Sequence, residues 1–338
     1  NSGDVGIYAA ITPAHAATFS LNSGGAISQV AGATLTVGTL TGSSVGATTL
    51  GEANQIGNLG SFTASSLSVA NAIPLSLVGD VTTSGSQTYN TAVSLGSDRV
   101  LSGSNITFNS TVDGGYALSV NASGATTFAG AVGGASALTS LTTDAGGSTV
   151  LGGNVTTTGT QTYNDAVVLG GDTILTSIAG GSIRLGSTVN GARSLAIDTA
   201  GATTFAGVIG GTSALTSLST GAGGSTTLGG SVTTTGAQTY NDAVGLAGDA
   251  TLTSTGGGDI VFANTLNGAH DLVVDTSGLS SFGGAVGGTN ALTSLTTRRG
   301  SFAANALNIG AGGLSVTTTA GGIVQGGAFV VTGASSFD

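Results

Sequence analysis

The chain has 338 residues, 62 of them Gly and 2 Pro, with no Cys, Met or Trp and a formal net charge of -10. Charged residues make up 6% and aromatic residues 4%, against about 25% charged in an ordinary globular domain, so neither a salt-bridged surface nor a thick aromatic core is available. Yet 39% of residues are hydrophobic, which excludes the low-hydrophobicity, high-charge signature of disorder.

All five cations are Arg, and they are scattered. That leaves no positive stripe for phosphates, so no nucleic acid partner is expected. The lack of Cys removes disulfides, thiol catalysis and Cys-ligated zinc together. The lack of Met implies a processed product or an excerpt of something longer. No apolar run approaches the ~18 residues of a membrane span, so none is expected.

From the N-terminus, Gly6-Ile7-Tyr8, Ile27-Ser28-Gln29 and Thr34-Leu35-Thr36 read as short alternating strands, followed by a longer alternating stretch over 47–64. An internal repeat then dominates. Gln-Thr-Tyr-Asn recurs with Tyr89, Tyr163 and Tyr240 at spacings of 74 and then 77, while Phe128, Phe205 and Phe282 lie 77 apart, as do Leu138, Leu215 and Leu292. The spacings define copies over about 81–154, 155–231 and 232–297, preceded by rungs over 1–80 and followed by more over 298–338. Asp98 to Asp172 is still 74, but Ile106 to Ile183 is already 77. The length difference therefore falls in the turn Ser177-Ile178-Ala179-Gly180-Gly181.

Within a copy the apolar period is two. Ile183 and Leu185 flank Arg184, and the equivalents are Ile106 with Phe108 and Ile260 with Phe262; Leu195/Ile197, Leu118/Val120 and Leu272/Val274 repeat the pattern 12 further along. An arginine cannot enter a narrow core unpaired, so Ile183 and Leu185 face in and Arg184 faces out. Gly-Gly, Gly-Ala-Gly-Gly and Asn-Gly between strands supply tight turns. No stretch holds the period of 3.6 that marks a helix. The expected fold is all-β with no helices: a single continuous right-handed parallel β-helix in which each full-length copy makes four rungs of about 19 residues.

The segment from Ala47 through Glu52, Asn54 and Gln55 to Ala64, continuing to Leu67 and Asn71-Ala72, resembles the haemagglutinin-type repeats of filamentous-haemagglutinin-like adhesins, secreted by the two-partner route of Gram-negative bacteria. Ile27-Ser28-Gln29 and Ile323-Val324-Gln325-Gly326 are similar to the same family's rung signatures. The resemblance implies a β-helical shaft carried to the cell surface or extracellular space by an outer-membrane two-partner transporter. The family's Asn-Pro-containing secretion motifs have no counterpart, because neither Pro13 nor Pro74 follows Asn.

Candidate chemistry is sparse. Asp165 with Asp172, repeated as Asp242 with Asp249, is the nearest thing to a carboxylate pair of the kind that cuts polysaccharides, although Asn-Asp and Gly-Asp also serve as turn residues. His15 and His270 are isolated. Gly256-Gly257-Gly258-Asp259-Ile260 is half of a calcium-binding nonapeptide, and such a site needs the motif in tandem. Tyr89, Tyr163 and Tyr240 share parity with Val93, Val167 and Val244, which puts their rings on the core side; a bulge at Asn164-Asp165 would turn them outward as a sugar-stacking file.

Asn105, Asn109, Asn121 and Asn154 open formal glycosylation sequons. Arg298-Arg299 reads as a solvated pair or a protease-sensitive site. No catalytic, cofactor-binding or metal-ligating residues are assigned, and no cofactor or enzyme activity is expected. The function expected is that of an adhesin shaft or extracellular filament supporting adhesion or biofilm cohesion, its partners adjoining rungs or head-to-tail copies of itself and surface glycans. The alternatives are a polysaccharide-binding or polysaccharide-active β-helix and an ice-binding solenoid, the latter suggested by Thr34-Leu35-Thr36 and Thr251-Leu252-Thr253. Both ends, Gly6-Ile7-Tyr8 and Ala328-Phe329-Val330-Val331, read as uncapped rungs.

Overall fold

Alternation of small polar residues with Val, Leu, Ile and Phe produces strands that bury one face, save Ile323–Gln325 and Ser335–Phe337 near the C-terminus, which are exposed throughout, and glycine turns return the chain so that strands lie parallel one turn apart. In the computed structural model, which describes residues 3–13, 17–319 and 321–338, every regular element is a strand and every pairing is parallel. The protein is a β-solenoid whose coils take about 20 residues. Register offsets run from 17, between Asn54 and Asn71, to 24, at the bridge between Ile11 and Leu35. His15 lies outside the described residues.

The chain divides into two compact units, Asn1–Asp165 and Ala166–Asp338, so the division falls inside the second sequence copy. Three strand positions make one turn. In the second unit one stack runs Ile183–Leu185, Ala202–Phe205, Ser225–Leu228, Ala243–Leu246, Leu266–Asn267. The next runs Thr173–Ser177, Ser194–Thr199, Ser217–Thr220, Gln238–Tyr240, Ile260–Phe262 and on to Phe282. The third runs Ala166–Leu169, Val189–Asn190, the bridge residue Ile209, Val232–Thr234 and Ala250–Ser254.

These stacks correct the expectation of four rungs per copy. Val167 and Val244, equivalent in sequence at a spacing of 77, stand in different stacks, as do Phe205 and Phe282. The first unit behaves alike: Val81 leads through Leu101, Val120 and Thr143 to Tyr163, whereas its counterpart Val155 stands on Val132, Val112 and Val93. From Ala166–Leu169 to Ala243–Leu246 the chain passes eleven strand positions, counting Ile209. Eleven positions at three per turn make three and two-thirds turns, so each copy begins one face away from its predecessor.

The inward parity is as the alternation requires. Ile183 and Leu185 are buried while Arg184 is exposed, and Ile106/Phe108 and Ile260/Phe262 repeat the burial. Tyr89, Tyr163 and Tyr240 are all buried. Tyr89 stacks on Phe108 and that on Phe128, with ring centroids 5.0 and 5.2 Å apart; Tyr240, Phe262 and Phe282 repeat the stack at 5.0 and 5.2 Å. The extra residues of the second copy do form a turn after Ser177, with Ile178 exposed and Gly180 at φ 74°.

Candidate functional site

An interior this narrow places any inward polar side chain against its neighbours one turn away, and the chain carries many. In the first unit Asn54, fully buried, accepts from Gln29 Nε2 and from Leu35 N at 2.7 Å each, and donates to the Glu52 and Ala70 carbonyls at 3.0 and 3.1 Å. Asn71 continues the arrangement, accepting from Ile56 N at 2.8 Å and donating to Ile56 O at 2.9 Å. Backbone bends that would leave amides unmatched are thereby satisfied.

The Gln-Thr-Tyr repeat has a similar purpose. Tyr89 Oη donates to Gln87 Oε1 at 2.8 Å, and Gln87 Nε2 donates to the carbonyls of Ser102 at 2.8 Å and Val81 at 3.2 Å. Tyr163 with Gln161 and Tyr240 with Gln238 repeat the phenol contact at 3.0 and 3.1 Å. Burial pushes all three phenols far above the ordinary tyrosine range. Tyr240→Phe removes one donor and leaves Gln238 Oε1 buried with an unmet lone pair. The expected cost is ~1–2 kcal/mol in a thermal melt, with the fold retained.

Most outward acids hold one turn to the next. Asp80 Oδ1 accepts from Val100 N at 3.0 Å, Asp98 from Ala117 N at 2.9 Å and Asp113 from Ala135 N at 2.8 Å. Asp172 accepts from Ser194 N at 2.9 Å and Asp249 from Asp271 N at 3.0 Å. The Ser194 amide draws the Asp172 carboxyl below the ordinary carboxylate range. Asp259, in the triple-glycine turn, accepts from Leu279 N at 2.8 Å, so that turn has a structural use for its acid.

Asp165 and Asp242 stand at bends, as the turn reading expects, but they face inward where Asp172 and Asp249 do not. Asp165 is 3% and Asp242 2% exposed, whereas Asp172 and Asp249 lie at the surface. Opposite burial separates the members of each supposed catalytic pair. Asp165 Oδ1 accepts from Thr149 Oγ1 at 2.8 Å and Thr143 Oγ1 at 3.2 Å. Asp242 accepts from Thr220 Oγ1 at 3.0 Å and from Thr226 Oγ1 at 3.1 Å, one on each oxygen. Burial raises both carboxyls above the ordinary range, the threonine hydroxyls offsetting part of the effect.

The remaining candidates are dispersed. His270 Nδ1 lies 3.4 Å from Asp249 Oδ1 at the surface. Arg299 pairs with Asp275 through Nε and holds φ 78°, at a shift in strand register. Asn105, Asn109, Asn121 and Asn154 are exposed; Asn105 Oδ1 accepts from Ala125 N and Asn109 donates to Asn90. Among the described residues no three His, Asp or Glu side chains converge as metal ligands. A shallow open groove of about 250 Å³ in the second unit is lined by Ser294, Thr296, Ser315 and Ser336.

One outward feature is regular where the sequence spacing is not. In the first unit Ser28, Thr49, Ser68, Thr88, Thr107 and Thr127 stand in direct register, one per turn. Their unequal intervals of 21, 19, 20, 19 and 20 hid this file from a search at a fixed period. Comparison with protein-family models, with curated proteins and with solved structures finds no match.

Proposed function

We propose that this chain is a shaft segment of a large secreted adhesin or extracellular filament of a Gram-negative bacterium, exported through an outer-membrane two-partner transporter. The observation that carries the reading is the use made of the polar side chains. The outward acids Asp80, Asp98, Asp113, Asp172, Asp249 and Asp259 each accept from a backbone amide one turn away. Residue types that elsewhere do chemistry here hold coils together, which suits a structural part. Adhesion or biofilm cohesion then depends on other parts of the parent protein, or on like shafts and surface glycans lying against this one.

Antibodies raised against residues 1–338 should label intact, unpermeabilised cells of the source bacterium, and a transporter gene of the two-partner type should adjoin the coding sequence. Labelling that requires permeabilisation would sink the reading. Release of reducing sugar from bacterial polysaccharides by the purified chain would favour the polysaccharide-active alternative instead.

A second reading has one observation in its favour. The in-register file from Ser28 to Thr127 is an uncharged row of hydroxyls repeating at the ~4.8 Å strand spacing, which suits an ordered water lattice. Thermal hysteresis in the purified chain, lost on replacing Thr88 and Thr107 with Lys, would support ice binding; its absence would remove it.

A further inference from the structure

Asp165 and Asp242 each close the inner side of a corner that has little else to close it. The corner beneath Asp242 is Gly221-Ala222-Gly223-Gly224, with Gly223 at φ 96°, and contributes no side chain larger than a methyl. The flanking residues Thr220 and Thr226, each 1% exposed, are joined across it through the Asp242 carboxyl. Asn241 adds a bond from its Nδ2 to Thr220 O at 2.8 Å. The other copy uses the same residue types: Thr143 and Thr149 flank Asp144-Ala145-Gly146-Gly147, both hydroxyls reach Asp165 Oδ1 while the buried Oδ2 has no partner among the described residues, and Asn164 Nδ2 donates to Thr143 O at 2.9 Å. In the first copy the acid is replaced by Thr91, which donates to Ile73 O and makes no such bridge.

Beside Asp165 the strands Ser140–Thr143 and Ser148–Leu151 carry no titratable side chain, its own segment has only the phenol of Tyr163, bonded to Gln161, and Arg184 of Ile183–Leu185 points outward. Around Asp242 the strands Ser217–Thr220, Ser225–Leu228, Ile260–Phe262 and Leu266–Asn267 carry no titratable side chain. On its own segment there is only the phenol of Tyr240, bonded to Gln238. Asp198 stands beside Gly221 on the outer surface. Asp165 has Asp144 on the corner beneath it, a like charge that disfavours ionisation further.

We infer that Asp165 and Asp242 are proton-dependent latches: each is held as a neutral acid between two threonine hydroxyls, and its ionisation releases the glycine corner beneath it. A carboxylate in that cage has no countercharge, so the corner must open to water to solvate it. The folded state holds the proton more tightly than the unfolded chain. Stability from the latches is therefore complete below the unfolded carboxylate range, near about pH 4, and is lost as pH rises through the raised folded value. The exposed acid Asp172 runs the other way, its stabilisation being lost as pH falls.

The test compares the wild type with Asp165→Asn/Asp242→Asn, in which an amide mimics the protonated acid, by thermal melting from about pH 5 to about pH 8, above the ordinary carboxylate titration. Hydrogen exchange at 143–149 and 220–226 is followed over the same range after correction for intrinsic rates. The wild type should lose melting temperature as pH rises and its two corners should gain exchange, while the double variant stays level in both. Should the double variant not fold, Asp242→Thr, which copies the residue type of Thr91, should abolish the exchange change at 220–226 alone. A wild type without pH dependence in this range, or variants that keep the wild-type slope, would overturn the inference.

Discussion

Replacing Ile183 with Asp should unfold its part of the solenoid, whereas replacing the adjacent Arg184 with Asp should leave it intact. Ile183 is fully buried and lies in register with Thr203. The one cation of its own strand is Arg184, and that points outward. An aspartate at 183 meets no countercharge and removes a branched aliphatic from a stacked column, a combined cost of ~4 kcal/mol or more. Arg184 is exposed, so its substitution should change stability by about 0.5 kcal/mol at most. Solenoids lose cooperativity over long arrays, so circular dichroism melts should be paired with limited proteolysis. Equal melting of the two variants would show that the inward parity is misassigned.

The adjacent glycines Gly133 and Gly134 should respond in opposite directions to the same substitution. Gly133 has φ 68°, where L-residues are strained by roughly 1–2 kcal/mol, and a Cβ there would stand 2.1 Å from Thr156 O, a backbone atom of the next turn. Its amide also donates to Val112 O at 2.7 Å, so the residue cannot shift without breaking the stack. Gly133→Ala should cost at least ~3 kcal/mol, strain and displacement together. Gly134 has no left-handed φ and its nearest neighbour would be Ala131 Cβ at 3.5 Å. Gly134→Ala should be neutral or stabilising by up to ~1 kcal/mol, through the unfolded state. A melt in which Gly133→Ala matches wild type would refute the close approach. Gly210 and Gly287 hold the same conformation at φ 70° and 68°, which gives two further positions for the measurement.

The parts of the fold legible in the sequence were those written in period two. Ile183 and Leu185 about Arg184, and Tyr163 in step with Val167 and Leu169, read correctly because each strand alternates and the copies repeat it. Turn count was not legible. The length 77 is close to four times 19, and nothing in the sequence marks how often the chain changes face. Buried polar groups were missed for a different reason: Asp165, Gln161 and Asn54 belong to residue types normally given to the surface. Yet Gln161, Tyr163, Asp165, Val167 and Leu169 share one parity, and that alone places the acid inside. Which threonines meet it depends on register between turns, which a single strand's pattern does not carry.

The mismatch between sequence copy and coil has a consequence for how such a chain changes length. Repeats as alike as 155–231 and 232–297 invite unequal recombination, and each event adds or removes a whole copy. Were a copy a whole number of coils, the portion beyond it would only move along the axis. Because a copy spans eleven strand positions at three per turn, losing one also turns that portion through a third of a revolution. Copy number in this architecture therefore sets compass bearing as well as reach, and three events in the same direction restore the original heading.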